Sequence, residues 1–123
     1  MEQPLSREQH GMVDWAYIPT VAGLPAAVGF DRDDVPARLA RLLSGGVLLS
    51  TLFTRAKWGA VRVIPFKAHL AMDAAASAVA VAAPWLFGFA DDARARNTFV
   101  AVGLAGLVVG ALTRPEEMPR RAR

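Results

Sequence analysis

Four apolar blocks constrain this chain more than any other feature. They run roughly His10–Phe30, Pro36–Thr54, His69–Phe89 and Asn97–Thr113, each 17–21 residues long. Wound as a helix at 1.5 Å per residue, such a block reaches about 25–32 Å, close to the hydrocarbon thickness of a bilayer. The fourth block carries no charge between Asn97 and Thr113. The second admits Arg38 and Arg41 in its first turns, where long basic side chains reach back to the interface. The first and third each hold one His and one Asp near their starts. None shows the polar stripe of a surface helix. The pattern predicts an all-α chain, an integral membrane four-helix bundle. A soluble helical bundle is the less favoured alternative, because it needs polar faces that these blocks lack.

Composition narrows the choice. The chain is 54% hydrophobic and 20% charged, against about 45–50% and 25% for an average soluble domain, which excludes intrinsic disorder. Its 123 residues allow one domain, and the absence of cysteine excludes a disulfide framework and any Cys-based metal or redox site. A net charge of +3 could suggest nucleic acid, but the basic residues lie between the blocks. They do not share one face with interleaved aromatics, so the expected partner is the lipid bilayer and not nucleic acid. Asp14, Pro19 and Pro25 interrupt the first block, which is therefore read as a retained helix and not as a signal peptide. Asp33 and Asp34 before Pro36, and Asp91 and Asp92 before the fourth block, are candidate helix starts; Pro115 is a helix stop. Gly106 and Gly110 form a GxxxG spacing, read first as tight packing within the bundle and second as a dimer face.

The chain matches itself at a shift of 59 residues. His10 falls on His69, Asp14 on Asp73, Pro25 on Pro84, Gly29 on Gly88, Phe30 on Phe89, Thr54 on Thr113 and Arg55 on Arg114. With Ala16/Ala75, Asp33/Asp92 and Leu48/Leu107 there are ten identities over the 46 ungapped pairs from His10 to Arg55. This predicts two tandem helical-hairpin repeats. The expected organisation is a cytoplasmic segment 1–9, a first hairpin repeat 10–55, an interfacial linker 56–68, a second hairpin repeat 69–114 and a basic disordered tail 115–123. Two crossings per repeat give both repeats one orientation, related by a pseudo-twofold axis along the membrane normal. Nine Lys and Arg residues flank the helices on the side of the termini and linker, against five in the two hairpin loops. The positive-inside rule places both termini in the cytoplasm. The linker carries Trp58, Val61, Val63, Ile64 and Phe66, too apolar for a solvated loop. It lies either at headgroup level with Trp58 as anchor or over the end of the bundle.

The second half resembles the SPW-repeat family of small integral membrane proteins. The resembling pieces are Val61-Arg62-Val63-Ile64-Pro65, His69-Leu70 with Asp73, Pro84-Trp85-Leu86-Phe87-Gly88-Phe89 and the closing Leu112-Thr113. The likeness spans about residues 58–114; over the first repeat it is carried by His10, Asp14, Pro25, Gly29 and Phe30 alone. The namesake Ser-Pro-Trp reads Ala83-Pro84-Trp85 here and Leu24-Pro25-Ala26 in the first copy. The resemblance implies a bacterial four-helix protein of the cell membrane and carries no biochemical activity with it.

Two groups of residues stand out. His10/Asp14 and His69/Asp73 are i,i+4 pairs, each on one helical face. Repeat symmetry could bring the two pairs together near the cytoplasmic side. An acid inside a membrane helix is a functional-site hypothesis by default. The favoured reading is a structural polar clamp, with the carboxylates helped by the first-turn N–H groups; a proton or ion path and a metal site rank below it. The second group comprises Pro25, Gly29 and Phe30 with Pro84, Trp85, Gly88 and Phe89, read as a helix kink, a glycine turn and an aromatic belt. No nucleotide loop or zinc-protease spacing is present, and neither Ser44, Ser50 nor Ser77 has a histidine near it in sequence. The sequence therefore predicts a non-enzymatic structural or accessory membrane protein with no cofactor and no resident metal. Its partner beyond lipid would be a second copy or another membrane protein. The alternative is a small transporter or channel lined by the His/Asp cluster.

Overall fold

A computed structural model describes residues 3–30 and 34–119. Asp31, Arg32 and Asp33 of the first hairpin loop, and Arg120, Arg121 and Arg123 of the tail, lie outside the described residues. The described chain is all-helical: α1 (Arg7–Val28), α2 (Val35–Leu52), α3 (Phe66–Leu86) and α4 (Ala93–Leu112). Only two isolated bridges, Leu5 with Thr113 and Thr54 with Ile64, occur outside the helices among these residues. Two helices, α3 and α4, are long and apolar enough to cross a membrane.

Three of the helices begin three or four residues before the corresponding apolar block, because their first turns carry charged, polar or aromatic residues. Ser6 caps α1 in a capping box with Gln9, so that each satisfies a backbone N–H of the other's end of the turn. Asp92 caps α4 through the N–H of Ala95. Asp34 occupies the N-cap of α2 without a side-chain bond, and Pro36 sits in the first turn. The N-cap of α3 is Pro65, which has no capping side chain. Glu117 supplies one from the other end of the sequence, accepting from the N–H groups of Phe66 at 2.8 Å and Lys67 at 3.0 Å.

The helix ends follow the glycines. Gly29 closes α1 at φ +88°, and Gly88 follows α3 at φ +77°, both left-handed conformations that glycine adopts without a Cβ penalty. Phe30 then donates to the Pro25 carbonyl and Phe89 to the Pro84 carbonyl, each at 2.8 Å. Phe89 turns inward and meets Phe99 edge-on, with ring centroids 5.2 Å apart, in a core with Val21, Ala40, Ala80, Ala83 and Ala95. Trp85 faces outward at 61% exposure. The two proline turns are thus shape elements, and the aromatics split between core and rim.

Helices α3 and α4 are pressed together by small residues. A Cβ on Gly103 would come within 2.6 Å of the Ser77 carbonyl oxygen, and one on Gly106 would overlap the Ser77 hydroxyl. Gly110 has nothing within 4 Å of the same position. The close contact therefore uses the 103/106 spacing and not the GxxxG pair.

The N-terminus, the linker and the tail meet at one end of the bundle. Leu5 donates to Leu112 at 3.0 Å and accepts from Arg114 at 2.9 Å; Arg55 donates to Ile64 at 2.8 Å. The linker lies over this end: Trp58 donates to the Arg7 carbonyl at 2.9 Å and packs over Gly11, where a Cβ would overlap the indole. The tail, expected to be disordered, is fastened here as far as Met118. Arg7 donates to the Glu116 carbonyl at 2.8 Å and Arg55 to the Met118 carbonyl at 3.2 Å. Many of these contacts recur 59 residues apart. The bridge Leu5/Thr113 has its counterpart in Ile64/Thr54, and the bond from Arg114 to Leu5 in that from Arg55 to Ile64.

Candidate functional site: a buried ring of two histidines and two aspartates

Beside its apolar core the bundle buries several polar side chains, while many large apolar ones are exposed. Buried are His10, Asp14, His69, Ser44, Thr51, Thr54, Ser77 and Thr113; Met12 and Leu42 are each 71% exposed, and Leu86, Val63, Trp85 and Leu49 lie mostly bare. Five of them, His10, Asp14, His69, Thr54 and Thr113, converge on one place.

His10 and His69 are each the fourth residue of their helix, and Asp14 and Asp73 each the eighth. One helical turn separates the members of each pair, so both point from one face. All four sequence-selected residues come together. The His10 Nε2 lies 2.8 Å from Asp73 Oδ2 and 3.2 Å from Asp14 Oδ2. The His69 Nε2 lies 2.7 Å from Asp14 Oδ2 and 3.1 Å from Asp73 Oδ2. The result is a closed ring in which nitrogen and oxygen alternate. Its two shorter sides cross between α1 and α3. The histidine side chains are 2% and 0% exposed and the aspartates 9% and 13%. The eighth position lies past the free N–H groups of a helix start, so the imidazoles, and not the first-turn N–H groups, satisfy these carboxylates.

A second layer fixes the rings. His10 Nδ1 meets Thr113 Oγ1 at 2.9 Å, and His69 Nδ1 meets Thr54 Oγ1 at 2.9 Å. Both threonines spend their only hydroxyl hydrogen on a backbone carbonyl four residues back, Thr113 on Val109 at 2.6 Å and Thr54 on Ser50. Each can therefore only accept from the imidazole, so both Nδ1 atoms carry a hydrogen. Thr54 and Thr113 are functional neighbours that sequence reasoning passed over. Their signal was available in the 59-residue self-match, where they align with each other. Phe66 and Trp58 close the ring toward the termini. Phe66 stacks on His69 at 5.9 Å and meets His10 edge-on at 5.6 Å, while Trp58 lies 5.4 Å from His69. Below the ring is a cavity of about 70 Å³ bordered by His10, Asp14, Tyr17, Asp73, Ser77 and Gly106.

Ser50 also reaches His69, its Oγ 2.8 Å from Nδ1. The sequence gives no hint of this, since 19 residues separate them. Ser50, His69 and Asp14 thus form a serine–imidazole–carboxylate chain. It lacks the requirements of a nucleophilic triad. Thr54 holds a hydrogen on the nitrogen that would have to accept the serine proton, and Ser50 sits inside α2, whose backbone N–H groups are used by the helix and cannot form an oxyanion hole.

No protein-family model matches this chain, and neither does any curated protein or solved structure. The resemblance to the SPW-repeat family rests on the residue pattern alone.

Proposed function

We propose that the chain is a non-enzymatic, four-span protein of the bacterial cell membrane, a structural or accessory subunit made of two tandem helical hairpins that the His–Asp ring clamps together. The observation that carries this reading is the inversion of polarity, with titratable and hydroxyl side chains inside and large apolar side chains outside. In water such a surface drives association; in lipid it is the expected exterior, and polar groups must pair within the bundle. Helices α1 and α2 fall short of the apolar character of α3 and α4: Asp14, Pro19 and Pro25 interrupt α1, and Arg38 and Arg41 lie within α2.

The duplication is supported by contacts that repeat at the same 59-residue interval as the sequence. His10 with Thr113 answers to His69 with Thr54, and His10 with Asp73 answers to His69 with Asp14. Each histidine is held by the carboxylate of the other repeat, which is what a clamp between hairpins requires. The basic residues gathered with the termini favour a cytoplasmic location for that end. A second reading, an ion path, draws on Asp73, which borders both the cavity beneath the ring and an apolar groove between α2 and α3.

The absence of native cysteine makes the topology directly testable. Single-cysteine variants Met118→Cys and Ala90→Cys are expressed in bacterial cells and probed with a membrane-impermeant thiol reagent. Labelling of position 90 in intact cells, and of position 118 only after lysis, is expected. A chain released from membranes by alkaline carbonate would overturn the reading.

A further inference from the structure

We propose that the His10–Asp14–His69–Asp73 ring is a binding site for one divalent transition-metal ion of the zinc class. The inference rests on the reading of these four side chains as one buried clamp, and it adds what the clamp holds. It starts from the hydrogen positions. Because Thr113 and Thr54 can only accept, the neutral tautomer of each histidine carries its hydrogen on Nδ1 and presents the bare Nε2 lone pair to the ring. The ring interior then consists of two imidazole lone pairs and two carboxylate oxygens, all within 4.8 Å of one another. Four acceptors facing one another with no donor among them require positive charge at their centre. Two protons satisfy the requirement, and so does one dication. Either leaves the buried group neutral, since the two carboxylates supply two negative charges.

The donor set selects the ion. Two imidazoles and two carboxylates without sulfur suit zinc and its first-row neighbours. Calcium would need six to eight oxygens and magnesium an octahedron of oxygens. Zinc bonds of about 2.0–2.1 Å to nitrogen and oxygen put tetrahedral ligands about 3.3 Å apart. The nitrogen–oxygen sides of the ring are 2.7–3.2 Å, and all four donor atoms lie within 4.8 Å of one another, so tetrahedral binding opens the sides by about 0.1–0.6 Å and draws the diagonals in toward about 3.3 Å. The second layer is what metal-bound histidines use, the far ring N–H held by an acceptor, and both histidines have it. Phe66 and Trp58 shield one side, and the cavity on the other gives an ion room to enter.

The test uses full-length protein carrying an affinity tag without histidine, purified in detergent, stripped with a chelator and dialysed against zinc or cobalt(II). Metal is measured by mass spectrometry, and the cobalt form by visible absorption. The expected result is one zinc per chain and the intense bands of four-coordinate cobalt. Both should be lost in the His10→Asn/His69→Asn variant, and magnesium should not compete. The milder Thr113→Val variant, which leaves all four ligands in place, is expected to bind zinc about 10–100-fold more weakly. A folded wild-type chain that takes up no zinc overturns the proposal and leaves the clamp standing as a proton-bearing ring. Faint, six-coordinate cobalt absorption overturns it equally, as does zinc retained at full stoichiometry in the double variant. Failure of the clamp reading shows separately, as an unchanged unfolding midpoint in metal-free Asp73→Asn.

Discussion

Replacing Asp73 by Asn removes a charge and changes almost no volume, so its effect isolates what the ring contributes. The Oδ2 atom of Asp73 takes contacts from His10 at 2.8 Å and His69 at 3.1 Å, and its side chain is 13% exposed. A hydrogen bond to a charged group contributes about 1.5–3 kcal/mol, and stranding the partner of a buried ion pair costs about 3–5 kcal/mol. Both routes give a loss of roughly 3–5 kcal/mol, because the amide can still offer one acceptor or one N–H but no charge. For a chain of this size that corresponds to a fall in unfolding midpoint of about 10–20 °C. The assay is thermal unfolding in one detergent at neutral pH with chelator present, followed by tryptophan fluorescence. Asp14→Asn should behave alike, since Asp14 holds the equivalent place in the ring. Glu116→Gln, which removes an exposed partner of Arg114, should stay within about 0.5 kcal/mol. An Asp73→Asn protein that melts with the wild type would refute the reasoning.

Three further outcomes follow from individual residues. Thr113→Val deprives the His10 ring N–H of its acceptor and should cost about 1–3 kcal/mol in chemical unfolding, whereas Thr51→Val, whose buried hydroxyl has no partner among the described residues, should be neutral or stabilising. Gly103→Ala sets a methyl against the Ser77 carbonyl and should destabilise by about 1–3 kcal/mol; Gly110→Ala meets nothing and should gain up to about 1 kcal/mol of helix propensity, read from the same unfolding curves. At Glu117, burial alone would raise the carboxyl pKa, but the N–H groups of Lys67 and Phe66 and the charges of Arg55 and Lys67 outweigh it and hold it below the usual range. A carboxyl depressed by folding stabilises at neutral pH, and that contribution is lost as pH falls through its folded value. The fluorescence anisotropy of a dye on Met118→Cys should accordingly drop on acidification, and should be low at all pH values in the Glu117→Gln background.

Much of the site was legible because it obeys two sequence periods at once. The i,i+4 spacing put His10 with Asp14 and His69 with Asp73, and the 59-residue shift paired the pairs. What the periods do not encode is which carboxylate each histidine prefers. The crossed geometry depends on the distance between α1 and α3, set by packing. Thr54 and Thr113 were visible as identities but carried no role, since each lies at the far end of a different helix from the ring it supports. Contact with His10 spans 103 residues and appears only when the end of α4 comes level with the start of α1. Ser50 has no counterpart in the repeat, where Val109 stands, so no pattern could have marked it. Of the glycine pair only Gly106 packs tightly within the bundle, for a related reason: small-residue spacing reports which residues could approach a neighbour, and the rotation of α4 chose Gly103 and Gly106 over Gly110. The polar first turns of α1 and α3 hid the true helix starts, which moved both aspartates beyond the reach of the helix N-termini.

The claim on which the rest depends is that the ring joins one hairpin to the other. A double-mutant cycle of His10→Asn and Asp73→Asn, measured as unfolding free energy in metal-free detergent or bicelles, isolates that crossed contact. Residues in one ion-pair network couple by about 0.5–3 kcal/mol, while independent ones add within about 0.5 kcal/mol. A coupling energy near 2 kcal/mol or more is predicted; strict additivity would mean that the two hairpins are held together by something other than the ring.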